Sequence, residues 1–414
     1  MMEPMLSVED ALERVLSVFS PLEPERVPIL ESVDRVLAKD VYADMDIPPH
    51  ANSSMDGYAV LAADTARASR ESPARLRIVG ELAAGYVTET PVTPGTAIRI
   101  MTGAPIPPGA DAVVKVEDTV SQGEWVDVFA APPVGQYIRP AGEDVRQGSL
   151  VLPRGVLVRP QEIGMLATLG RAEVAIVRRP RVAILATGDE VVEIEAPLAP
   201  GKIRNANSYS NAAQVIMCGG IPIMLGIARD RIEDLTEKIR MGLAQGVDLF
   251  LTSGGVSVGD FDIVKNVLAT EGEIHFWRVR MKPGKPLAFG QIDDPTTGSK
   301  RPVPVLGLPG NPVSVMLSFE MFVRPAIFEM LGRTDWPRPR VEAALMDEIP
   351  HKDNRRHYVR VRVEEQAGEY RAFLTGGQGS GILSSMVKAN GLAIIPEDWT
   401  HAPAGARVSV LLLD

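Results

Sequence analysis

The stretch Leu249 to Asp262, with the sequence LFLTSGGVSVGDFD, joins an apolar run to a turn rich in small and hydroxyl-bearing residues that ends in carboxylates. Glycine has no Cβ, so successive backbone N–H groups in such a turn can approach an anion closely. The pattern therefore predicts a strand followed by a turn that binds a phosphate or a similar oxyanion. The candidate binding residues of this turn are Ser253, Gly254, Gly255, Ser257 and Gly259.

A second turn of the same kind, GLPGNPVS, covers Gly307 to Ser314. It follows the strand-like run PVPVL and precedes an apolar, helix-like run, so we expect both turns to lie side by side at the carboxyl edge of one sheet. Neither turn has the spacing of a dinucleotide fingerprint or of a P-loop. The candidate binding residues here are Pro309, Gly310, Asn311 and Pro312.

Carboxylates follow three strand-like runs of the same region. Glu190 comes after RVAILAT, Asp230 after IPIMLGIA and Asp262 after VDLFLTS. Ligands of open α/β sheets bind at this edge, and hard oxygen ligands suit Mg²⁺ with phosphate oxygens in its coordination shell. The sequence therefore predicts a magnesium site among the carboxylates of this edge, where Asp189 and Asp260 are further candidates.

The motif MKPGKP, Met281 to Pro286, places Lys282 and Lys285 on a turn stiffened by proline and glycine. Lysines held in this way suit a phosphate or another oxyanion. The alternative is a solvated hairpin tip. We favour the oxyanion site because the glycine turns and carboxylates occur close by in the sequence.

Other polar clusters are weaker on local grounds. Asp56 in HANSSMDGYAV could simply close an Asx-turn, the prolines after Thr102 in IMTGAPIPPG could only stiffen a loop, and the acidic turn PAGEDVRQG at Asp144 could be solvated. In the tail, Ser380 in GGQGSGILSSM could reach a ligand, as could an arginine of NRRHYVRV. For that arginine pair, solvation is the default.

Composition limits the classes of function. A chain of 414 residues with 45% hydrophobic and 23% charged residues is long enough for roughly two to four domains. The net charge of −10 argues against a nucleic-acid partner, and no apolar run approaches a membrane span. The N-terminus lacks an export pattern, so we expect a cytoplasmic location. Cys218 is the only cysteine, which excludes an internal disulfide and favours a packed thiol.

The periodicity predicts a multidomain α/β plus all-β protein. Helical runs begin the chain, with SVEDALERVLSVF followed by a second short helical stretch before residue 37, and short β-like runs come next. Alternating strands and helices then predict a doubly wound, mainly parallel sheet, and alternating residues in the tail predict a β-barrel. We divide the chain into a discontinuous helical and extended domain (1–45 and 140–177), a small β domain (46–139), an α/β domain (178–331) and a C-terminal barrel-like domain (332–414).

Taken in order, the motifs SSMDGYAV, MTGAPIPPGADAVV, AGEDV, ATGDE, SGGVSVGDFD, MKPGKP, LPGNPVS and GSGILSSM resemble those of the molybdopterin molybdenumtransferases, the family of the MoeA proteins and the gephyrin E domain. The resemblance covers essentially the whole chain. It implies an elongated, dimerising subunit of four domains, the third similar to molybdopterin adenylyltransferase. It also implies that molybdenum from molybdate is inserted into adenylylated molybdopterin, with release of AMP.

The resemblance further implies roles for single residues. Its essential carboxylates match Asp56, Asp144, Glu190, Asp230 and Asp262; its threonine matches Thr102; its lysines, prolines and serine match Lys282, Lys285, Pro309, Pro312 and Ser380. Either Arg355 or Arg356 matches its arginine. We expect Glu190, Asp230 and Asp262 to hold the Mg²⁺ that bridges the pyrophosphate of the adenylylated pterin, and we expect a homodimer with the site between subunits.

Two alternatives remain open at this point. The chain could be a molybdopterin adenylyltransferase, although that enzyme does not need the additional domains. It could instead be a non-catalytic scaffold, which the lack of a fused N-terminal domain or a long linker makes the weaker choice. Protein partners, such as the adenylyltransferase and the molybdoenzymes that accept the cofactor, leave no signal in the sequence, and neither does a preference for tungstate.

Overall fold

The structure is a computed structural model that describes residues 5–254, 272–293, 302–350 and 353–413. The chain forms two compact units. The large unit contains Met1–Val27, Ser32–Ala38 and Ala175–Asp414, and the β unit contains Pro28–Glu31 and Lys39–Val174. Strands Pro24–Pro28 and Glu173–Val177 lie where the chain passes from one unit to the other.

The β unit is built on a mixed sheet that has six strands among the described residues. In spatial order these are Ala112–Lys115, Gly57–Val60, Thr96–Ile100, Ala74–Leu82, Trp125–Val128 and Thr119–Gln122. Two short pairs join Asn52–Ser53 to Ile138–Arg139 and Val41–Tyr42 to Leu150–Leu152, and helices Ala62–Thr65 and Pro160–Thr168 complete the unit. The buried side chains of the sheet form its core, and the short β-like runs predicted for this region are strands.

The large unit contains a second mixed sheet, again of six strands in the described part of the chain. Their spatial order is Ile221–Ala228, Arg181–Thr187, Leu249–Ser253, Val303–Leu308, Pro286–Ile292 and Gly272–Arg278. The first four are parallel, as predicted, but the last two are antiparallel to their neighbours. Only residues 279–285 join these two strands, and a parallel crossover needs a dozen residues or more.

Helices pack against this sheet through regularly spaced apolar residues. Leu235, Ile239 and Leu243 of helix Ile232–Ala244 lie four residues apart and pack with Leu225 and Phe250. The other helical segments that the structure describes in the large unit are Val8–Leu16, Ala206–Met217, Pro312–Ser318, the π-helical turn Phe319–Val323, Arg324–Met330 and Leu383–Val387. In the described part of the chain, none is long and apolar enough to cross a membrane.

The N-terminal prediction is half correct. Helix Val8–Leu16 forms, with the hydroxyl of Ser7 accepting a hydrogen bond from the N–H of Asp10 at 2.9 Å. The predicted second helical stretch is reduced to the 3₁₀ helix Ile29–Ser32, and strand Pro24–Pro28 precedes it. Proline fixes the backbone φ angle and lacks an N–H donor, which disfavours a continuous helix there.

The C-terminal region closes into a barrel, as predicted. Its strands in order are Arg356–Gln366, Glu369–Leu374, Arg340–Leu345, Arg407–Leu412 and Gly391–Ile395, and the last pairs with the first. The side chains of Leu345, Val361 and Val410 lie in its core. The strand Met281–Lys282 of the lysine motif pairs with Arg356–Gln366, while Ile349–Pro350 pairs with His401–Ala402. Strands Val191–Val192 and Ile203–Arg204 form a further pair. The four-domain division itself stays a prediction.

Candidate functional site

The register of the parallel strands brings both glycine turns to one edge of the large unit's sheet. Ser253 pairs with Leu308, and the N–H of Gly254 donates a hydrogen bond to the Leu308 carbonyl at 3.3 Å. A Cβ placed on Gly310 would lie 3.7 Å from Cα of Gly254. At Gly254, the one described residue of the first turn's glycine motif, the expectation that the two turns lie side by side is therefore confirmed.

Gly254 is required by both conformation and space. Its φ of +91° lies in the left-handed region, and an added Cβ would lie 2.7 Å from the carbonyl oxygen of Thr187. The neighbouring Ser253 is buried, and its hydroxyl has no hydrogen-bond partner among the described residues. The remaining predicted residues of this turn lie outside the described residues; they are Gly255, Ser257, Gly259 and Asp262.

The second turn is fixed by contacts from two other elements. The side-chain amide of Asn207 donates to the carbonyl of Gly310 at 2.7 Å, and the N–H of Val313 donates to the carbonyl of Ser380 at 3.0 Å. Pro309 is buried, whereas Gly310 and Asn311 are exposed just before the helix that begins at Pro312. The predicted Ser380 therefore lies at this turn. Asn207 was not predicted, because nothing local in ANSYSN distinguishes it.

The carboxylates Glu190 and Asp230 bracket one short turn at the same edge. The N–H of Asp189 donates to Oδ2 of Asp230 at 3.3 Å. A Cβ on Gly188 would lie 2.5 Å from Oε2 of Glu190, so this carboxylate folds back over the turn. The structure thus brings these two predicted residues together, and both are exposed.

Two cations that were not predicted also reach this turn. Lys202 donates to the carbonyl of Asp189 at 2.7 Å, and Arg229 donates to the same oxygen at 3.3 Å. Lys202 lies thirteen residues along the chain from this carbonyl. No motif around it marks the contact. The carboxylates are thus placed in a locally mixed field rather than in a purely acidic one.

Magnesium binding stays untested by this geometry. Among the described residues, no three His, Cys, Asp or Glu side chains are grouped closely enough to hold a metal ion. Asp262, the third predicted ligand, lies outside those residues. Glu190 and Asp230 are still a suitable oxygen donor pair, because Mg²⁺ commonly takes one or two carboxylates and completes its shell with phosphates and water.

The lysine motif is a packed turn and not a solvated hairpin tip. Pro283 and Gly284 are buried, and a Cβ on Gly284 would lie 2.9 Å from Oγ of Ser318. The two lysines differ in their surroundings. Lys282 forms an ion pair with Asp353 at 3.3 Å, whereas the ammonium of Lys285 forms neither an ion pair nor a hydrogen bond within the described part of the chain.

The arginine beside Ser380 is Arg360, not one of the predicted pair. Arg355 pairs with Asp353, and Arg356 pairs with Glu9 and Glu397. That either arginine reaches the ligand stays a prediction.

Arg360 is 1% exposed and lies under the glycine-rich loop that carries Ser380. Its guanidinium donates to the carbonyl of Gly379 at 3.1 Å and to the hydroxyl of Ser385 at 3.1 Å. Burial lowers the pKa of Arg360 to about 10, which leaves it charged near neutral pH. Alternation did not predict this burial, because Arg360 and Arg362 lie on the same face of the strand and Arg362 is exposed.

In the β unit, Asp56 forms a defined pair with Thr102. Both the backbone N–H and the hydroxyl of Thr102 donate to Oδ1 of Asp56, each at 2.7 Å. The backbone N–H of Thr102, followed by its hydroxyl, lowers the pKa of the Asp56 carboxyl. The Asx-turn interpretation is wrong, because Ser53 makes the local contact by accepting from the N–H of Met55.

Asp56 lies next to a glycine that its strand requires. A Cβ on Gly57 would lie 1.9 Å from the carbonyl oxygen of Val114 on the neighbouring strand. Asp144 lies in a separate turn, tied by a backbone hydrogen bond from its N–H to the carbonyl of Ile47 at 3.0 Å. Its exposed carboxylate makes no hydrogen bond within the described ranges.

Cys218 is a packed thiol, as predicted. It caps the helix Ala206–Met217 at its C-terminus and is 6% exposed. Burial raises the pKa of the thiol to about 12. It is therefore neutral near pH 7, which argues against a role as nucleophile.

Three family models match the chain in sequence. Residues 6–170 match the MoeA N-terminal region (domain I and II), residues 183–329 match a probable molybdopterin binding domain, and residues 342–413 match the MoeA C-terminal region (domain IV). Both glycine turns, the lysine turn and the carboxylates Glu190 and Asp230 lie in the second of these regions.

Individual relatives and solved structures agree over the full chain. Proteins named molybdopterin molybdenumtransferase from Nostoc sp. and Bacillus subtilis are each 36% identical, with 99% of this chain and 94% of the relative covered. A MoeA crystal structure from Pyrococcus horikoshii has a TM-score of 0.86 at 31% identity and covers 99% of this chain and 100% of that chain. The chain therefore belongs to the MoeA family of molybdopterin molybdenumtransferases.

Proposed function

We propose that the protein inserts molybdenum from molybdate into adenylylated molybdopterin and releases AMP together with the finished molybdenum cofactor. Its relatives are named for this transfer, and molybdenum cofactor biosynthesis is the role of the family. The observation that carries the proposal is the meeting of two glycine turns and a carboxylate-bearing turn at one sheet edge, in the region that matches a molybdopterin binding domain.

The turns at Gly254 and Gly310 bind the phosphate groups of the substrate through backbone N–H groups. The left-handed backbone at Gly254 lets the chain leave its strand close against the Thr187 carbonyl, which fixes where this turn begins. Asn207 fixes the second turn by binding the Gly310 carbonyl, so its N–H groups keep a constant direction. Preorganised donors of this kind lose little entropy when the substrate binds.

Molybdate is received on the cationic side of the site. Lys285 provides an ammonium group with no ion pair among the described residues, and Arg360 adds a buried positive charge beneath the Ser380 loop. Like charges repel, so an oxyanion avoids Glu190 and Asp230 and approaches these cations. Molybdate, which donates the metal, is thus kept apart from the phosphates of the pterin when both substrates are bound.

Glu190 and Asp230, with Asp262, are the residues that would hold Mg²⁺. When bound, Mg²⁺ neutralises phosphate oxygens and so favours cleavage of the pyrophosphate. Asp189 contributes by donating its N–H to Asp230, which fixes the orientation of that carboxylate. Asp56 supplies a carboxylate that Thr102 keeps ionised, and Asp144 is a further carboxylate of the same proposal.

We further propose a cytoplasmic homodimer whose active sites take residues from both subunits. The support is that the matched carboxylates are divided between the β unit, with Asp56 and Asp144, and the large unit, with Glu190 and Asp230. A single buried cysteine suits a reducing compartment. Molybdopterin adenylyltransferase and acceptor molybdoenzymes are the protein partners that this reaction implies.

The test is AMP release from adenylylated molybdopterin by the purified protein in the presence of Mg²⁺, with and without molybdate. The product is assayed for its ability to reconstitute an apo-molybdoenzyme. We expect AMP release to depend on molybdate and to yield active cofactor. ATP-dependent adenylylation of molybdopterin would instead indicate an adenylyltransferase. If the protein shows neither activity, a non-catalytic scaffold is the remaining interpretation.

A further inference from the structure

We propose that Asp353 is a positioning residue for the transfer reaction, holding the ammonium of Lys282 in place so that the neighbouring Lys285 is left to meet the oxyanion. This inference deepens the proposed function and rests on it. No motif singled out Asp353, and it enters the site through a contact 71 residues away in the chain.

Three cationic or hydrogen-bonding side chains meet the carboxylate of Asp353. Lys282 reaches Oδ2 at 3.3 Å, and Arg355 reaches both oxygens, with Nη2 at 2.8 Å from Oδ2 and Nε at 3.1 Å from Oδ1. Nε2 of His357 lies 3.1 Å from Oδ1. A two-pronged arginine contact fixes the plane of a carboxylate, so Asp353 is itself oriented before it holds Lys282.

Backbone pairing fixes the other end of the contact. Met281 and Lys282 pair in parallel with Arg356 and His357, and the N–H of Arg356 donates to the carbonyl of Arg280 at 3.0 Å. The turn therefore lies on the barrel strand that begins three residues after Asp353. A shift in the register of this pairing would break the contact between Lys282 and Asp353. The position of the turn and the contact with Asp353 are therefore coupled.

An isolated surface ion pair would not carry this argument. Lys282 and Asp353 side chains are 47% and 32% exposed, and exposed pairs contribute little to stability. His357 is 6% exposed, however, and with Arg355 it anchors the carboxylate on the protein side. Hydrogen bonds from Arg355, followed by those from His357, hold the pKa of Asp353 well below its usual range. The carboxylate therefore stays charged across the working pH range.

The charge arrangement predicts a specific kinetic signature. In Asp353→Asn, Lys282 loses its anchor, so the ammonium samples more positions and the reacting groups are aligned less often. Removing a negative charge beside the lysines does not weaken attraction for an anion. We expect kcat to fall about tenfold, with KM for molybdate changed by less than about threefold. Asp353→Glu should recover part of kcat.

A readout that is independent of turnover tests the anchoring itself. In this experiment, the lysines of the folded protein are chemically dimethylated, and the extent of labelling at Lys282 is measured by fragmentation mass spectrometry. An ion-paired ammonium reacts slowly, so labelling of Lys282 should rise several-fold in Asp353→Asn. Glu397→Gln is the matched control, because it removes a carboxylate from Arg356 on the same strand without touching Lys282.

Unchanged labelling of Lys282 in Asp353→Asn overturns the inference, and so does faster labelling with an unchanged kcat. An equal loss of kcat in Glu397→Gln would assign the effect to the strand and not to Lys282. If the wild-type protein shows no molybdate-dependent AMP release, the proposed function fails and the catalytic part of this inference fails with it. The labelling result then still decides whether Asp353 holds Lys282.

Discussion

The carboxylates of the two units are held in contrasting ways. In the β unit, Asp56 receives two hydrogen bonds from the single residue Thr102, both neutral donors. In the large unit, Glu190 and Asp230 share a turn with the cations Lys202 and Arg229 and adjoin glycine turns from two further strands. The first arrangement fixes one charge through one partner, whereas the second distributes control over many residues. Loss of the partner Thr102 should therefore perturb Asp56 directly, whereas no single partner controls the carboxylates at the sheet edge.

The largest effect should follow loss of a sheet-edge carboxylate. Glu190→Gln or Asp230→Asn should lower the rate of AMP release by about 100- to 1000-fold with little change in Tm, because a proposed Mg²⁺ ligand is removed from an exposed position. Steady-state AMP release and circular dichroism melting check this. Glu195→Gln, an exposed carboxylate of the same loop, is the control. Full activity in Glu190→Gln would remove that residue from the mechanism.

A smaller effect should come from filling the first glycine turn. Gly254→Ala puts a Cβ against the Thr187 carbonyl and forces alanine into a left-handed conformation, so we expect at least a tenfold loss of activity and destabilisation by about 1–3 kcal/mol. Gly246 has a φ of +63° but open space around it. Gly246→Ala is thus matched for conformational strain without the clash. Equal activity losses in both variants would deny the turn a specific role.

Thr102→Val sharpens the account of the β unit. It removes the hydroxyl donor to Asp56 but keeps the backbone N–H, so the pKa of Asp56 should rise toward its ordinary value and kcat should fall about tenfold. A depressed pKa keeps the carboxylate ionised as the pH falls, so the acid limb of the pH–rate profile should move to higher pH in the variant.

The carboxyl resonance of Asp56, followed by NMR during an acid titration, reports its pKa directly. Thr102→Ser retains the hydroxyl and should restore both the rate and the acid limb. Thr90→Val, at an exposed loop position of the same unit, is the control for adding a branched apolar side chain. A pKa of Asp56 that is unaffected by Thr102→Val would contradict the pairing.

The smallest effect should come from substitution of Cys218, which is not part of either carboxylate site. Cys218→Ala should leave AMP release unchanged, because the thiol is buried and its pKa is raised to about 12. Thiol-specific reagents should label the native protein slowly and the unfolded protein fast. A complete loss of activity in a folded Cys218→Ala variant would contradict the view that this thiol only packs.

Much of the fold could be predicted from the sequence, because the periodicity of a strand depends only on residues that are close in the chain. RVAILAT and IPIMLGIA form the strands Arg181–Thr187 and Ile221–Ala228, and the tail closes into a barrel as its alternation predicted. The antiparallel pairing of Gly272–Arg278 was missed, since chain direction depends on connection length and not on periodicity. The prolines near residue 28 were given too little weight against apolar spacing.

Site residues could be predicted only where chemically suitable side chains belong to a local sequence motif. The adjacent glycine turns and the convergence of Glu190 with Asp230 follow from strand order. Asn207, Arg360 and Asp353 escaped notice because each acts through a contact that only the folded chain creates. The burial of Arg360 escaped prediction for the same reason, since Arg360 and Arg362 share one face of their strand and only the loop over Arg360 distinguishes them.

The central claim is that the carboxylates of both units serve one reaction centre completed by two subunits. Its most direct test is AMP release by a purified heterodimer of Asp56→Asn and Glu190→Gln chains, co-expressed with different affinity tags. Sharing between subunits leaves one of the two equivalent sites intact, so the heterodimer should recover about half of wild-type activity, while each homodimer stays nearly inactive. A heterodimer as inactive as the homodimers, or a protein that forms no dimer, would contradict the account.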